Sequence, residues 1–312
     1  MSGTGTTLVI GATGTTGSRT AARLLAGGHR VRAAGRRGAP WVDAPSSAAE
    51  AAGAPSSAAP SVGAESVGTP SAAAESVRFD WYDPATFADA VAGADRVYLV
   101  PPVGEPDPLP VMLPFLRRAR AAGVRRAVLL SSSAVPEGGP AVGQVHRALP
   151  ELFEEWAVLR PSWFMQNFTG EHLHARSIRE HGTILTAAGA GRVGFVDAED
   201  IAAVAAHALT DERAPDRDLV LTGPEALSHD AVAAVVAEVT GRTVVHHRLT
   251  HGELRERLSA LMPPAFAGLL ADLDRAIAAG AEDRTTDTVR LLTGRAPNGF
   301  RQVFERELTA AR

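Results

Sequence analysis

TTLVIGATGTTGSRTAARLLAGG, residues 6–28, is the stretch on which the reading of the fold turns. TTLVI (6–10) is apolar and β-branched, the composition of a buried strand. SRTAARLLAGG (18–28) has helical spacing, with Leu24 and Leu25 toward one face and a Gly-Gly stop. Between them lies a G-x-x-G-x-x-G loop, Gly11-Ala12-Thr13-Gly14-Thr15-Thr16-Gly17. Glycine suits such a loop for three reasons: the turn is tight, backbone must approach a pyrophosphate, and the helix must pack closely on the strand. The helix N-terminus then faces phosphate with free N–H groups and a positive dipole end. A glycine triplet alone is a weak signal, and a structural turn is the alternative. Directly after a first strand and opening a helix, Gly11, Thr13, Gly14, Thr15, Thr16 and Gly17 read as a dinucleotide site.

The second strand, HRVRAAGRR (29–37), bears on which dinucleotide. An NAD site usually carries Asp or Glu near the strand end to hold the ribose 2′-OH. Here the strand ends Gly35-Arg36-Arg37, and two guanidiniums suit a 2′-phosphate through paired, charge-assisted hydrogen bonds. The expected cofactor is NADP(H); a solvated arginine pair is the alternative.

Composition narrows the rest. The chain has 312 residues, 45% of them hydrophobic, a formal net charge of −4 and a pI near 6.2. That is enough for one large domain or a domain plus a smaller lobe. There is no basic stripe for nucleic acid and no apolar run of about 18 residues for a membrane span. The start, MSGTGTTLVI, lacks a basic opening and a cleavage site, so a cytoplasmic location is expected. Cysteine is absent, which excludes disulfides, thiolate nucleophiles and cysteine-ligated metal. Lysine is absent too: all 31 basic residues are arginine. No Schiff base can form, and no lysine can lower a neighbour's pKa. Only two tyrosines occur, Tyr82 and Tyr98.

Residues 39–76 break the strand–helix pattern. They are almost entirely Ala, Ser, Pro, Gly, Val and Glu, with PSSAA at 45–49 and 55–59 and AESV at 64–67 and 74–77. Too few large apolar groups are present to offset ordering entropy, so a disordered insertion is expected. Beyond it, strands are predicted at VRFDWYD (77–83), DRVYLVPPV (95–103), RRAVLLSSSAV (125–135), GRVGF (191–195), DLVLTG (218–223) and VVHHRLT (244–250). ELFEEWAVLRPSWFMQNF (151–168) reads as helix, short strand and aromatic loop, and helices fill most intervals. The expected fold is α/β: a Rossmann-type doubly wound parallel sheet with a smaller, mainly helical C-terminal substrate lobe. Residues 1–160 would form the NADP-binding domain. Residues 161–312 would complete the sheet and build the substrate lobe.

LVIGATGTTG, FDWYDPATF, VYLVPPV, VRRAVLLSSS, VLRPSWFMQNF, GRVGFVDAEDIA, LVLTGPEALSHDAVA and LLTGRAPNGFRQVFE together span nearly the whole chain except 39–76. In these segments the chain resembles the NmrA-like atypical short-chain dehydrogenases, and within them the ergot-alkaloid-type reductases, the agroclavine and festuclavine dehydrogenase family. The resemblance implies a hydride-transfer fold with its site at the carboxyl ends of the strands. It implies that Asp80 and Trp81 lie near the adenine, and that Val100, Pro101 and Pro102 line the ribose and nicotinamide path. It places Ser131, Ser132 and Ser133 beside the nicotinamide, and Pro161, Trp163 and Phe164 near the carboxamide and substrate. Close relatives would carry Lys at 144, where this chain has Gln144 at the cofactor's edge.

Standard short-chain dehydrogenases protonate their product with a Tyr-x-x-x-Lys pair, which a chain without lysine cannot have. His146 is the only side chain in that region with a pKa near neutral, so it is a candidate proton donor, or a polar residue at the pocket edge. Ser132 and Trp163 complete the candidate catalytic set. Trp163, Phe164, Met165 and Phe168 suggest a flat apolar pocket, with core packing as the alternative. Reducing a ketone needs an acid; reducing an iminium does not, because the electrophile already carries its charge. The expected activity is therefore NADPH-dependent hydride transfer to a small hydrophobic imine, iminium or quinone-like acceptor, in secondary metabolism. The alternatives are a non-catalytic NADP(H) sensor of NmrA type and a redox-neutral cyclase or isomerase. No metal site is expected: His172 and His174 diverge on a helix, and His246 and His247 point to opposite faces of a strand. Asp197 and Asp200 are expected to cap a helix. A monomer or homodimer, with no nucleic-acid or membrane partner, completes the reading.

Overall fold

The computed structural model describes residues 5–36 and 74–310. Eleven strands run in chain order. They are β1 (Thr6–Ile10), β2 (Arg30–Gly35), β3 (Ala74–Arg78), β4 (Arg96–Leu99), β5 (Arg126–Leu130), β6 (Glu155–Pro161), β7 (Thr183–Thr186), β8 (Arg192–Val193), β9 (Arg217–Leu221), β10 (Leu227–Ser228) and β11 (Val245–Arg248). The α-helices are α1 (Thr15–Ala26), α2 (Phe87–Val91), α3 (Pro108–Ala121), α4 (Gly143–Leu152), α5 (Leu173–His181), α6 (Ala198–Thr210), α7 (His229–Thr240), α8 (His251–Ser259), α9 (Pro264–Ala278), α10 (Thr288–Thr293) and α11 (Phe300–Ala310).

Seven strands form one parallel sheet in the order β3-β2-β1-β4-β5-β6-β9. Strand order reverses between β1 and β4, so a crevice opens at their carboxyl ends, where α/β sheets bind ligands. Period-2 alternation divides the sheet's side chains between two layers. Leu8, Ile10, Val97, Leu99 and Leu129 face Met112, Phe115 and Leu149 from α3 and α4. Val9, Val31, Tyr98, Val128 and Leu159 face Leu24, Ile201, Val204 and Val289 from α1, α6 and α10. Burying each such side chain contributes on the order of 1.5–3 kcal/mol.

A second body of structure packs at the carboxyl end of the sheet. Met165, Phe168, Ile184, Phe195, Val232, Phe300 and Phe304 form its core, and Leu254, Leu258, Ala267 and Ala271 join α8 to α9. It carries two small sheets, β8 with β10 antiparallel and β7 with β11 parallel. The predicted edge strand at 244–250 is therefore β11, paired to β7 rather than to the main sheet. The strand predicted over 191–195 shrinks to two residues. A Cβ at Gly191 would fall 2.2 Å from the Ile277 carbonyl oxygen, and one at Gly194 would fall 2.5 Å from that of Arg284. Close backbone approach there displaces ladder pairing.

The expected insertion 39–76 is corrected at its end: residues 74–76 belong to β3. Ala74, Glu75 and Ser76 add little apolar burial, but β2 supplies backbone partners through Val31↔Ala74 and Arg32↔Glu75, and Arg32 pairs with Glu75 at 2.9 Å. An edge strand needs no apolar alternation when its neighbour holds it. The rest of that insertion, 39–73, lies outside the described residues. No helix among the described residues is long and apolar enough to cross a membrane.

Candidate functional site

The glycine loop closes at the switch point of the sheet. Gly11 has φ +72°, in the left-handed region, and its own N–H and that of Ala12 donate to the Ala34 carbonyl at 3.1 Å. Gly14 N–H donates back to the Gly11 carbonyl at 2.8 Å. A Cβ on Gly17 would sit 2.1 Å from that same oxygen, so only glycine fits where α1 crosses the loop. No side chain caps α1. The first-turn N–H groups of Thr15, Thr16 and Gly17 have no intrahelical partner by geometry, and Thr13, Gly14 and Thr15 are exposed. The loop therefore presents an anion cradle at a positive helix end.

Arg36 follows β2 directly and is exposed. The Gly11 and Ala12 bonds to Ala34 bring the end of β2, and hence Arg36, beside the loop. Arg37 lies outside the described residues. Phe79 N–H donates to the Gly35 carbonyl, which sets the half-buried Asp80 next to this corner. The Asp80 carboxylate accepts from the Tyr82 N–H at 3.0 Å. Trp81 turns inward instead. It is 9% exposed, packs edge-on against Phe79 and Phe115, and donates its indole N–H to the Val100 carbonyl at 3.1 Å. Its described role is to fix the strand end from which Val100, Pro101 and Pro102 continue as a half-buried wall.

The three serines leave β5 in different states. Ser131 is pinned by its N–H to the Leu159 carbonyl at 2.7 Å, while its buried hydroxyl has no partner among the described residues. Ser132 is half-buried, its hydroxyl accepting from the Ala134 N–H at 3.3 Å. Ser133 is buried and donates to Glu282 at 2.7 Å, a structural tie that turns it away from a substrate role. Arg160, paired to Asp218 at 2.6 Å, donates to the Ser132 carbonyl at 3.4 Å and the Ser133 carbonyl at 3.0 Å and so stiffens the turn. Pro161 ends β6 with its carbonyl accepting from the Ser133 N–H.

His146 is not at the crevice surface. α4 turns it toward the sheet, 3% exposed, with its ring 6.3 Å from that of Trp156 and its Nδ1 unpartnered among the described residues. Burial, aided by Arg160, pushes its pKa below the ordinary histidine value, against Glu137 and Asp218. A proton donor must reach its acceptor, so this corrects the expectation for His146. Gln144 does not extend toward the crevice either. Its amide donates to the Gly138 and Gly139 carbonyls at 2.5 and 3.1 Å and holds the loop that enters α4. The tyrosines are equally removed. Tyr98 is fully buried in β4, and Tyr82 is 64% exposed with its hydroxyl on Glu105.

The aromatic loop divides by position. Phe164 packs with the layer that contains Ala12 and Val100. Trp163 lines a cavity of about 190 Å³ between α5, α8 and α9. Met165 and Phe168 are corrected from pocket to core. They are 2% and 3% exposed, and Phe168 is wedged between Phe195, Phe300 and His174. The 3₁₀ turn Met165–Phe168 directs both inward.

The sequence reading missed a polar hub. Asp197, fully buried, caps α6 through the Glu199 N–H at 3.1 Å and accepts from Gln166, Asn298 and Arg306 at 2.7, 2.8 and 3.0 Å. Burial raises its carboxyl pKa, but the bonds and charge of Arg306 outweigh that and hold it below the usual range. Asp200, also buried, accepts from the Asn298 N–H and pairs with Arg295, both at 2.7 Å. Burial dominates there and pushes its pKa up. Arg19 of α1 reaches the same hub through Glu199 and Glu307. FVDAED and GRAPNGFRQVFE thus meet in space and lock the cofactor helix to the C-terminal structure. The Asp residues of the first segment and the Arg and Asn residues of the second are complementary, and that was the available signal. Among the described residues no cluster of three or more His, Cys, Asp or Glu could hold a metal.

No family model matches the chain. It is 40% identical over 294 residues to an uncharacterized oxidoreductase, YesF, of Bacillus subtilis (strain 168), covering 94% of this chain and 92% of that protein. It is 42% identical over 230 residues to agroclavine dehydrogenase of Claviceps fusiformis, covering 71% of this chain and 80% of that one. Among solved structures, an NADPH-dependent quinone oxidoreductase from Escherichia coli complexed with NADPH aligns with a TM-score of 0.72 at 19% identity, over 97% of this chain and 99% of that chain. That likeness bears on the fold.

Proposed function

Since the chain belongs to the NmrA-like atypical short-chain reductases of the agroclavine and festuclavine dehydrogenase type, we propose that it is an NADPH-dependent reductase of a small hydrophobic imine or iminium, or of a quinone-like acceptor. The observation that carries this is the uncapped start of α1, closed by Gly11 and Gly17 at the switch point of the sheet. Its first-turn N–H groups suit a pyrophosphate, and Arg36 suits a ribose 2′-phosphate. When bound, the cofactor supplies the hydride.

The residues around that crevice bind and orient rather than donate protons. The chain contains no lysine, Tyr98 and His146 are buried, and Tyr82 bonds Glu105. Ser132, half-buried at the end of β5, carries a hydroxyl there, and a hydroxyl alone is a weak acid. An iminium accepts hydride and becomes a neutral amine with no proton required, and a quinone that accepts hydride becomes a hydroquinone monoanion, a weak base that takes its one further proton from water. Both acceptors suit such a wall better than a ketone does. Positioning then supplies the rate, with Phe164 on the apolar side of the crevice. The similarity to agroclavine dehydrogenase and to an NADPH-dependent quinone oxidoreductase supports a reductase of small organic acceptors.

The test is purified protein with NADPH against cyclic iminiums, imines and quinones, following NADPH absorbance. Turnover on an iminium or quinone and none on simple ketones supports the reading. Tight NADPH binding with no turnover on any acceptor would replace it with the sensor.

A further inference from the structure

Asp274 of α9 lines the cavity that begins at Trp163. Leu185, Leu254, Leu258, Leu270 and Leu273 supply much of the remaining wall. Asp274 accepts one hydrogen bond, from the Ala187 N–H at 2.7 Å, and among the described residues no cation pairs with it. Burial pushes its carboxyl up to about 6, only partly offset by that N–H. The carboxylate is therefore largely ionised at neutral pH, in an apolar wall, without a counter-ion. Ionised groups in such settings are normally paired, because burying an unpaired charge costs several kcal/mol.

The other charges of the cavity do not fill that gap. Arg176, Glu180, His181 and Arg257 are exposed at the rim, where solvent screens them. His174 is held well below its ordinary pKa, by burial first and by neighbouring histidines second, so it stays neutral. Asn167 and Ser177 add neutral polar groups, and burial pushes the His172 pKa below its ordinary value, so what remains is one anionic group and one indole in a largely leucine wall. That is the chemistry that recognises an organic ammonium: Coulomb attraction, cation–π contact and burial of the alkyl shell. The volume, about 190 Å³, exceeds the roughly 150 Å³ cavity that accepts a benzene ring, so a one-ring cation fits.

We infer that this cavity is a binding site for a lipophilic ammonium ion, with Asp274 as its counter-charge and Trp163 as its aromatic wall. The site does not require hydride transfer. Trp163 immediately precedes Phe164, so an ion bound there lies one residue along the chain from the cofactor wall.

Benzyltrimethylammonium, which cannot accept hydride, and its neutral carbon isostere neopentylbenzene are the probes. Binding of each is measured by calorimetry on the full chain saturated with NADPH, at mildly alkaline pH. The wild type should bind the ammonium at least tenfold more tightly than the isostere. Asp274→Asn keeps an acceptor for the Ala187 N–H but removes the charge, and should bring the two probes to equal affinity. An NADPH titration on the variant verifies that it is folded. Trp163→Leu should lower the ammonium preference with the carboxylate intact. Equal affinity of the two probes for the wild type, or an undiminished ammonium preference in Asp274→Asn, overturns the inference. Either result leaves the reductase reading standing, since that reading fails only on turnover. Ammonium selectivity with no turnover on any acceptor would separate them the other way.

Discussion

Gly17 has no room for a single added carbon, because the Gly11 carbonyl occupies the place of its Cβ at 2.1 Å. Gly17→Ala must move loop backbone, and NADPH affinity should fall at least tenfold, about 1.4 kcal/mol, in a fluorescence titration. Arg36→Ala tests a different term. A charge-assisted hydrogen bond contributes about 1.5–3 kcal/mol, so NADPH affinity should drop roughly tenfold or more while NADH affinity stays the same. An unchanged NADPH-to-NADH ratio would remove the 2′-phosphate argument. These residues were readable in sequence because their roles are local: a turn, a helix start, a strand end. His146, Gln144, Met165 and Phe168 sit away from the crevice, and their placement was not legible for the opposite reason. A sequence gives their chemistry and their neighbours along the chain, but helix α4 and the 3₁₀ turn at 165–168 decide which way they point.

At the scale of elements, the α6 cap is the joint between the cofactor helix and the C-terminal structure. Asp197→Ala would leave Gln166, Asn298 and Arg306 without their buried partner. Breaking such a buried pair costs about 3–5 kcal/mol, and a large drop in thermal midpoint is expected. The cap itself was legible from FVDAEDIA, but its partners lie about 31 to 109 positions away in sequence, which no local pattern carries. The histidines of the C-terminal structure give a pH prediction. His229 is 2% exposed, and burial first, with His246 adding, pushes its pKa from 6.5 to about 4. Between pH 6.5 and 4 the unfolded chain binds a proton there that the folded chain refuses, so stability falls as pH falls through that window. The loss reaches about 3 kcal/mol. Asp274 acts in the opposite sense over a similar window, since its folded pKa is raised from 3.8 to about 6 and protonation favours the folded state. The histidine effect is therefore read as a difference: His229→Gln should lose less thermal midpoint between pH 7 and 5 than the wild type. Parallel pH profiles would contradict it.

For the molecule as a whole, the parallel sheet follows from strands alternating with helices, a pattern the sequence carried plainly outside 39–76, whereas the strand order is seen only in the structure. The start of β3 was missed because its partner strand, not its own composition, holds residues 74–76. The cavity at Asp274 was missed because its walls come from Trp163 and from α5, α8 and α9, which sequence places up to about 111 residues apart. The functional account joins these scales. In the proposed function, the cradle at the switch point would hold NADPH and deliver hydride to an acceptor that needs no protein acid, since the described wall beside it offers none that is strong and accessible. The most direct test uses NADPH deuterated at the nicotinamide C4 on the transferred face, mixed with a cyclic iminium, with the amine product examined by mass spectrometry and NMR. The account predicts one deuterium on the former iminium carbon for each cofactor oxidised. Product formed with the label still on the cofactor, or no product from a protein that holds NADPH tightly, would contradict it.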